Sequence, residues 1–149
     1  MRIQQMFSSI ASNYDFLNTL LSFNRDKWWR RFAASKIELR SGAKILDVAT
    51  GTGSLALELA MRADKGRKVI GVDFSQEMLS RAKDKVTKIQ CDNLELIQAK
   101  AEALPFPDNT FDYTAIGFGL RNMIDIEQTL REMARVTKVG GELICLELS

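Results

Sequence analysis

A glycine-broken turn set between an apolar run and a helical stripe constrains this chain more than any other feature. Residues 44–60 read Lys-Ile-Leu-Asp-Val-Ala-Thr-Gly-Thr-Gly-Ser-Leu-Ala-Leu-Glu-Leu-Ala. The opening run, rich in branched side chains, suits a strand buried in a parallel sheet. Gly51-Thr52-Gly53 breaks it, and helical spacing resumes at Leu55 and Leu59. A strand, a tight turn and a helix make the first half of a mononucleotide-binding unit. Glycine at 51 and 53 lets a ligand approach the backbone where a Cβ would collide. The next apolar run, Val69-Ile70-Gly71-Val72, closes on Asp73. That acid lies about 20 residues beyond the turn, where a ribose-binding carboxylate is expected.

Two ligands fit the pattern, and charge separates them. Gly51-Thr52-Gly53-Ser54-Leu55-Ala56 satisfies a dinucleotide fingerprint, which would lay a pyrophosphate on the helix N-terminus. Asp47, four residues before Gly51, would repel that phosphate. S-adenosylmethionine carries a sulfonium and an ammonium instead, and a nearby carboxylate favours both. A second role for Asp47 is to bond backbone amides within the turn. The spacing Asp-x-x-x-Gly-x-Gly followed by Asp73 looks like the methyltransferase form of the fold, so the methyl donor is preferred to the dinucleotide.

The rest of the chain keeps a βα rhythm. Ser75 suits a helix N-cap with Glu77 in the first turn, and the helix should run to about Lys88 on the apolar face of Met78, Leu79, Ala82 and Val86. Residues 94–98 are the third strand, ending at Lys100-Ala101-Glu102. The segment 104–109, with Pro105 and Pro107, is a loop. Residues 111–117 are the fourth strand; Asp125 caps a helix with Gln128 in capping-box spacing and a stripe of Ile126, Leu130 and Ala134. Gly140-Gly141 should stop that helix, and residues 142–148 make the fifth strand. This series implies right-handed crossovers and a doubly wound parallel sheet, an α/β architecture with its ligand beyond the carboxyl ends of the strands. Residues 47–53, Asp73 with Phe74, Lys100 to Glu102, and Gly117 to Arg121 all fall at those ends.

Before the first strand, Ile3, Met6, Phe7, Ile10, Tyr14, Leu17 and Leu21 form an amphipathic helical stripe. Arg25-Asp26-Lys27-Trp28-Trp29-Arg30-Arg31-Phe32 then alternates aromatics with bases. It reads either as a surface for an anionic membrane or a ring-shaped substrate, or as a helix with Trp28 and Phe32 in the core. Residues 1–40 are thus a helical segment facing substrate or membrane, and 41–149 a donor-binding unit, within one domain of 149 residues.

Composition excludes several classes. The net charge of +2 carries no global nucleic-acid signature. There is no histidine, which removes the commonest metal ligand and general base. Cys91 and Cys145 match no metal or redox spacing, so no metal is expected, and Cys145 sits in an apolar run that suggests burial. Short, charge-punctuated apolar runs suggest neither signal peptide nor membrane span, and hence a cytoplasmic protein.

The residues resemble the C-methyltransferases of ubiquinone and menaquinone biosynthesis over nearly the whole chain. Met6-Phe7-Ser8-Ser9-Ile10-Ala11 with Tyr14-Asp15 and Asn18 looks like the N-terminal signature of that family, continued by Leu21-Ser22 and Trp29-Arg30. Ala101-Glu102-Ala103-Leu104-Pro105-Phe106, the more specific Phe118-Gly119-Leu120-Arg121-Asn122, and Arg135-Val136-Thr137-Lys138-Val139-Gly140-Gly141 are similar to its later blocks. The resemblance implies a class I, Rossmann-like methyltransferase fold, with S-adenosylmethionine bound by Asp47, Gly51, Thr52, Gly53, Asp73, Phe74, Lys100, Ala101 and Gly117. Lys100 stands where the family usually has asparagine, Gly117 where some members have serine, Asp26 where histidine is frequent, and Val139 in place of a common proline.

The implied substrate is a prenylated quinol whose ring carbon attacks the donor methyl once a phenol proton is lost. Tyr14 and Asp15 are candidates for the base by motif membership, and Arg121 for stabilising the phenolate or for a structural salt bridge. The alternatives are a catalytically impaired donor-binding fragment or assembly partner, a methyltransferase of another small molecule, or one of protein or nucleic acid. A nucleic-acid methyltransferase is disfavoured, because Gly117-Phe118-Gly119-Leu120 follows the fourth strand instead of an Asn/Asp-Pro-Pro-aromatic motif. Family members continue with two more strands. Without them the fifth strand is expected to be an edge with Leu143 and Cys145 uncovered, open to pairing with another copy.

Overall fold

A computed structural model of the protein describes residues 42–62, 67–117 and 123–146. The N-terminal stripe, the basic-aromatic segment and the Phe118-Gly119-Leu120-Arg121-Asn122 block lie outside the described residues.

The apolar run before the glycine turn forms β1 (Lys44–Val48), buried after its first residue. The chain continues through α1 (Ser54–Arg62), β2 (Lys68–Asp73), α2 (Gln76–Ile89), β3 (Leu94–Gln98), β4 (Phe111–Gly117), α3 (Ile126–Val136) and β5 (Thr137–Leu146). The sheet order is β3-β2-β1-β4-β5, and every neighbouring pair is parallel. From β1 the sheet thus runs outward through β2 and β3 in one direction and through β4 and β5 in the other. That reversal, between β1 and β4, opens a crevice beyond their carboxyl ends.

Alternation along the strands divides the core into two layers. Ile45, Val69, Tyr113 and Ala115 meet Leu55, Ala56, Leu59 and Ala60 of α1 on one face. Leu46, Val48, Val72 and Ile116 meet Met133 and Val136 of α3 on the other. Covering both faces is what lets β1 be a continuous apolar run.

Local chemistry sets the helix ends as expected. The Ser75 hydroxyl accepts the Met78 amide, and the Asp125 carboxylate accepts the Gln128 amide at 3.0 Å. The capping box is only half formed, because the Gln128 amide group donates instead to the Glu102 carbonyl.

Two expectations fail around α3. Its buried stripe is Thr129, Met133 and Val136, with Leu130 partly covered and Ala134 exposed. Thr129 escapes an apolar reading, yet its hydroxyl donates to the Asp125 carbonyl and can be buried at no cost in unpaired groups. The helix also ends at Val136, before the glycine pair. Thr137 adopts an extended backbone, and its hydroxyl bonds the Met133 carbonyl and the Thr114 hydroxyl. The strand therefore begins at Thr137, and Gly140-Gly141 falls in an irregularity, with Phe111 opposite Thr137 but Tyr113 opposite Glu142. Cys145 is exposed, against its apolar context but as the edge position of β5 implies. Leu143 is exposed beside it.

Candidate functional site

The turn after β1 is organised by a residue that sequence reasoning passed over. Thr50 donates its amide to the Val72 carbonyl at 2.8 Å, and its carbonyl accepts the Gly53 amide at 2.8 Å. Its buried hydroxyl donates to the Asp47 carboxylate, also at 2.8 Å. Space for that hydroxyl exists because position 71 is glycine: a Cβ there would lie 2.8 Å from Thr50 Oγ1. The pairing of Thr50 with Gly71 was the available signal, but only the strand register reveals it.

Asp73 closes the turn from the other side. One carboxylate oxygen accepts the Gly51 amide and the other the Ser75 amide, each at 2.8 Å. A carboxylate oxygen accepts more than one hydrogen bond, so Asp73 retains acceptor capacity toward a ligand. Ala49 beside it is held at φ 55°, a left-handed conformation rare for residues with a Cβ and frequent at functional sites.

Above these residues lies a cleft of about 250 Å³, lined by Ala49, Asp73, Phe74, Lys100, Glu102 and Ile124 among others. Phe74 is 66% exposed at its rim, and the Lys100 ammonium sits 5.7 Å from the centre of its ring. Ala101 also lines the cleft, so four of the expected positions, Asp73, Phe74, Lys100 and Ala101, converge there. Met123 and Ile124 are additions that no motif announced.

The remaining expected residues sit around the turn. Nothing lies within 4 Å of where a Cβ on Gly51 would project, leaving open space against the backbone. Thr52 does not line the cleft: its hydroxyl accepts the Lys85 ammonium at 3.0 Å, and the Ser54 hydroxyl does so at 3.3 Å. Gly53 packs its backbone against Ala82 of α2, and Gly117 packs against Leu55 of α1. Tyr14, Asp15 and Arg121 lie outside the described residues.

Asp47 does not line the cleft. It is 1% exposed beneath the turn, bonded to Thr50 and to the Ala56 amide. Burial pushes its carboxyl up to about 7, opposed by the Thr50 hydrogen bond and reinforced by the charge of Asp73. It thus fulfils the backbone-bonding role.

The segment that leads from the cleft back to the start of β4, residues 104–109, is clamped by a group that the sequence did not flag. Arg135 donates to the carbonyls of Leu104 and Phe106, at 3.0 and 2.7 Å, and to the carboxylates of Asp108 and Glu132. Glu132 also accepts the Leu104 amide at 2.9 Å. Hydrogen bonding to Arg135 holds the Glu132 carboxyl below its usual range, and the guanidinium is correspondingly raised. Phe106 packs edge-on against Phe111 under this clamp, with ring centres 5.0 Å apart.

An open glycine turn, an acid with spare acceptor capacity at the end of β2 and a mostly apolar cleft fit a nucleoside-bearing ligand. Among the described residues no group of side chains could hold a metal ion.

The family model described as the ubiE/COQ5 methyltransferase family matches residues 1–149. The chain is 47% identical over 152 residues to the ubiquinone/menaquinone biosynthesis C-methyltransferase UbiE of Geotalea uraniireducens, covering 99% of this chain and 63% of that protein. It is 45% identical over 148 residues to a demethylmenaquinone methyltransferase of Bacillus cereus, covering 99% and 62%. The chain therefore spans less than two thirds of the length of these relatives. A solved SAM-dependent methyltransferase from Aquifex aeolicus is 29% identical and superposes with a TM-score of 0.67, covering 73% of this chain and 58% of that one.

Proposed function

This chain belongs to the ubiE/COQ5 methyltransferase family, and from that premise we propose that it serves S-adenosylmethionine-dependent C-methylation of a prenylated quinol. The observation that carries the reading is the family match itself, which runs through the glycine turn, Asp73 and the cleft residues. The donor supplies an electrophilic methyl group on a sulfonium. In this reading the ring carbon forms the new bond as the carbon–sulfur bond breaks, and the ring then loses its proton. The protein's task is alignment and exclusion of water.

Each cleft residue has a part in that alignment. Asp73 accepts the ribose hydroxyls while holding Gly51, and the open backbone of Gly51 admits the donor against the turn. Phe74 offers its exposed ring face to the adenine, and Lys100 donates from its edge, with Ala101 beneath. Thr52 and Gly53 shape the turn, and Gly117 keeps the end of β4 clear. Tyr14 or Asp15 takes the phenol proton and Arg121 stabilises the phenolate, roles assigned by motif membership.

Residues 1–40 are assigned to substrate and membrane contact, with residues 25–32 touching anionic lipid because a prenylated quinol partitions there. The contact proposed is peripheral, at the cytoplasmic face; no described helix is long and apolar enough to cross a membrane. The exposed edge of β5 is a surface through which copies could pair.

Methyl transfer from labelled donor to a demethylated quinol tests the reading directly. Calorimetry with S-adenosylmethionine and with NAD supplies the control. Binding of NAD without binding of the methyl donor would overturn it. Donor binding without turnover would favour the donor-binding module.

A further inference from the structure

Asp47 is the sole buried acid among the described residues. The Thr50 hydroxyl of the turn, at 2.8 Å, and the Ala56 amide of α1 converge on it. In the sheet it stands between Gly71 of β2 and Ala115 of β4, neither of which offers a counter-charge. Charged side chains on the elements around it mostly lie on exposed faces or at strand ends, Lys44 on β1, Lys68 on β2, Asp112 on β4 and Glu77, Arg81, Lys83, Asp84 and Lys88 on α2 among them. Asp73 ends β2, Glu58 lies on α1, and Lys85 of α2 gives its ammonium to Thr52 and Ser54. Of these, Asp73 is the one whose charge bears on Asp47, and it opposes ionisation. Among the described residues no ammonium or guanidinium pairs with Asp47.

A carboxyl buried without a cation, with another carboxylate across the turn, favours its neutral form. The missing counter-charge is of the kind the donor brings. S-adenosylmethionine carries a sulfonium and an ammonium against one carboxylate, a net positive charge. Its demethylated product is a thioether and carries none.

We propose that Asp47 senses ligand charge at the donor site: neutral beneath the empty turn, it releases its proton to solvent when the sulfonium donor binds, and regains it when the thioether product takes the donor's place. The inference rests on the donor-binding reading above. No bond to the ligand forms, and one proton leaves for each donor bound. The shift of this carboxyl to about 7 sets the pH range in which the exchange is visible. The chain has no histidine, the side chain whose ordinary titration falls in the same range.

Calorimetric titration of the protein with S-adenosylmethionine, in phosphate and in Tris, counts protons through the different protonation heats of the two buffers. The expected release is most of a proton at pH 6 and less at pH 7, with donor affinity several-fold tighter at pH 7 than at pH 6. S-adenosylhomocysteine should release markedly fewer protons, and Asp47→Asn should abolish the release. On the unmodified, ligand-free protein, carboxyl carbon-13 NMR should show one aspartate titrating near neutral pH.

Equal heats in both buffers at pH 6 would overturn the proposal while leaving donor binding intact. Equal proton counts for donor and product would overturn the sensing of charge. So would an aspartate set that titrates entirely below pH 5. Failure of the donor to bind at all would remove the reading beneath it as well.

Discussion

The turn after β1 is built from backbone amides gathered by two carboxylates, whereas the loop between β3 and β4 is built around one guanidinium. In the turn, Asp47 and Asp73 accept from Thr50 and Gly51 with no cation between them. In the loop, Arg135 spans two carbonyls and two carboxylates, and Glu132 returns a bond to the Leu104 amide. The loop is electrostatically complete without a ligand. The turn carries an uncompensated acid and open space above Gly51. Regions poised to bind are drawn from the less satisfied parts of a fold; here the unsatisfied turn lies at the carboxyl ends of the strands, and the clamp lies toward the other end, where β4 and β5 begin.

Breaking the clamp should cost most. Arg135→Met leaves Glu132 largely buried without its cation and two loop carbonyls without donors, so urea unfolding should show a loss of about 3–4 kcal/mol. The donor affinity of the folded fraction should change little. Unchanged stability would mean that the loop is held by Phe106 packing instead.

The next largest effect is a contrast in pH. Asp47 has a folded pKa raised above its unfolded value, so its contribution is fully present below about pH 4 and is lost as pH rises toward about 7. That loss should be about 3–4 kcal/mol, levelling above neutrality, and Asp47→Asn should flatten it. Glu132 is shifted the other way. Its contribution is present above the unfolded pKa and is lost as pH falls through the lowered folded one, so the clamp weakens only in acid. A denaturant midpoint indifferent to pH between 4 and 7 would contradict the state assigned to Asp47.

Asp73 tests whether the turn serves a ligand. Asp73→Ala should weaken donor binding by about 1.5–3 kcal/mol, the scale of charge-assisted hydrogen bonds. It should also loosen the turn, since Gly51 and Ser75 lose their acceptor. Equal donor affinity in a folded variant would make Asp73 purely architectural.

Gly71→Ala is the smallest and sharpest change. The added methyl would meet Thr50 Oγ1 at 2.8 Å and Leu96 at 3.1 Å, costing about 1–2 kcal/mol as the hydroxyl is turned away. Asp47 would lose the bond that favours its ionised form, so the pH at which stability levels off should move upward. A variant with the wild-type pH profile would show that Thr50 does not act on Asp47.

Much of this was written locally in the chain. The β3 and β4 spans, the caps at Ser75 and Asp125, and Asp73 at the end of β2 all follow from neighbours within a few residues. Reading failed where the deciding partner was remote. Gly140-Gly141 looked like a helix stop, but the Thr137 hydroxyl bonding Thr114 had already turned the chain into β5. Ala134 looked buried by spacing, yet the sheet meets α3 along Thr129, Met133 and Val136.

What the sequence determined by itself is the alternation of strands and helices, the glycine turn and the placement of an acid at the end of β2. Hydrophobic periodicity and backbone conformational preference act over a turn or a strand, so they are legible in order along the chain. Tertiary structure alone decided that Asp47 lies under the turn with a carboxyl raised to about 7, and that Arg135 reaches back across 27 to 31 residues to hold the loop. It likewise decided that Lys85 meets Thr52 from 33 residues away. Charge state and long-range pairing depend on which atoms exclude water from which others, and that is settled only when the two layers close on the sheet.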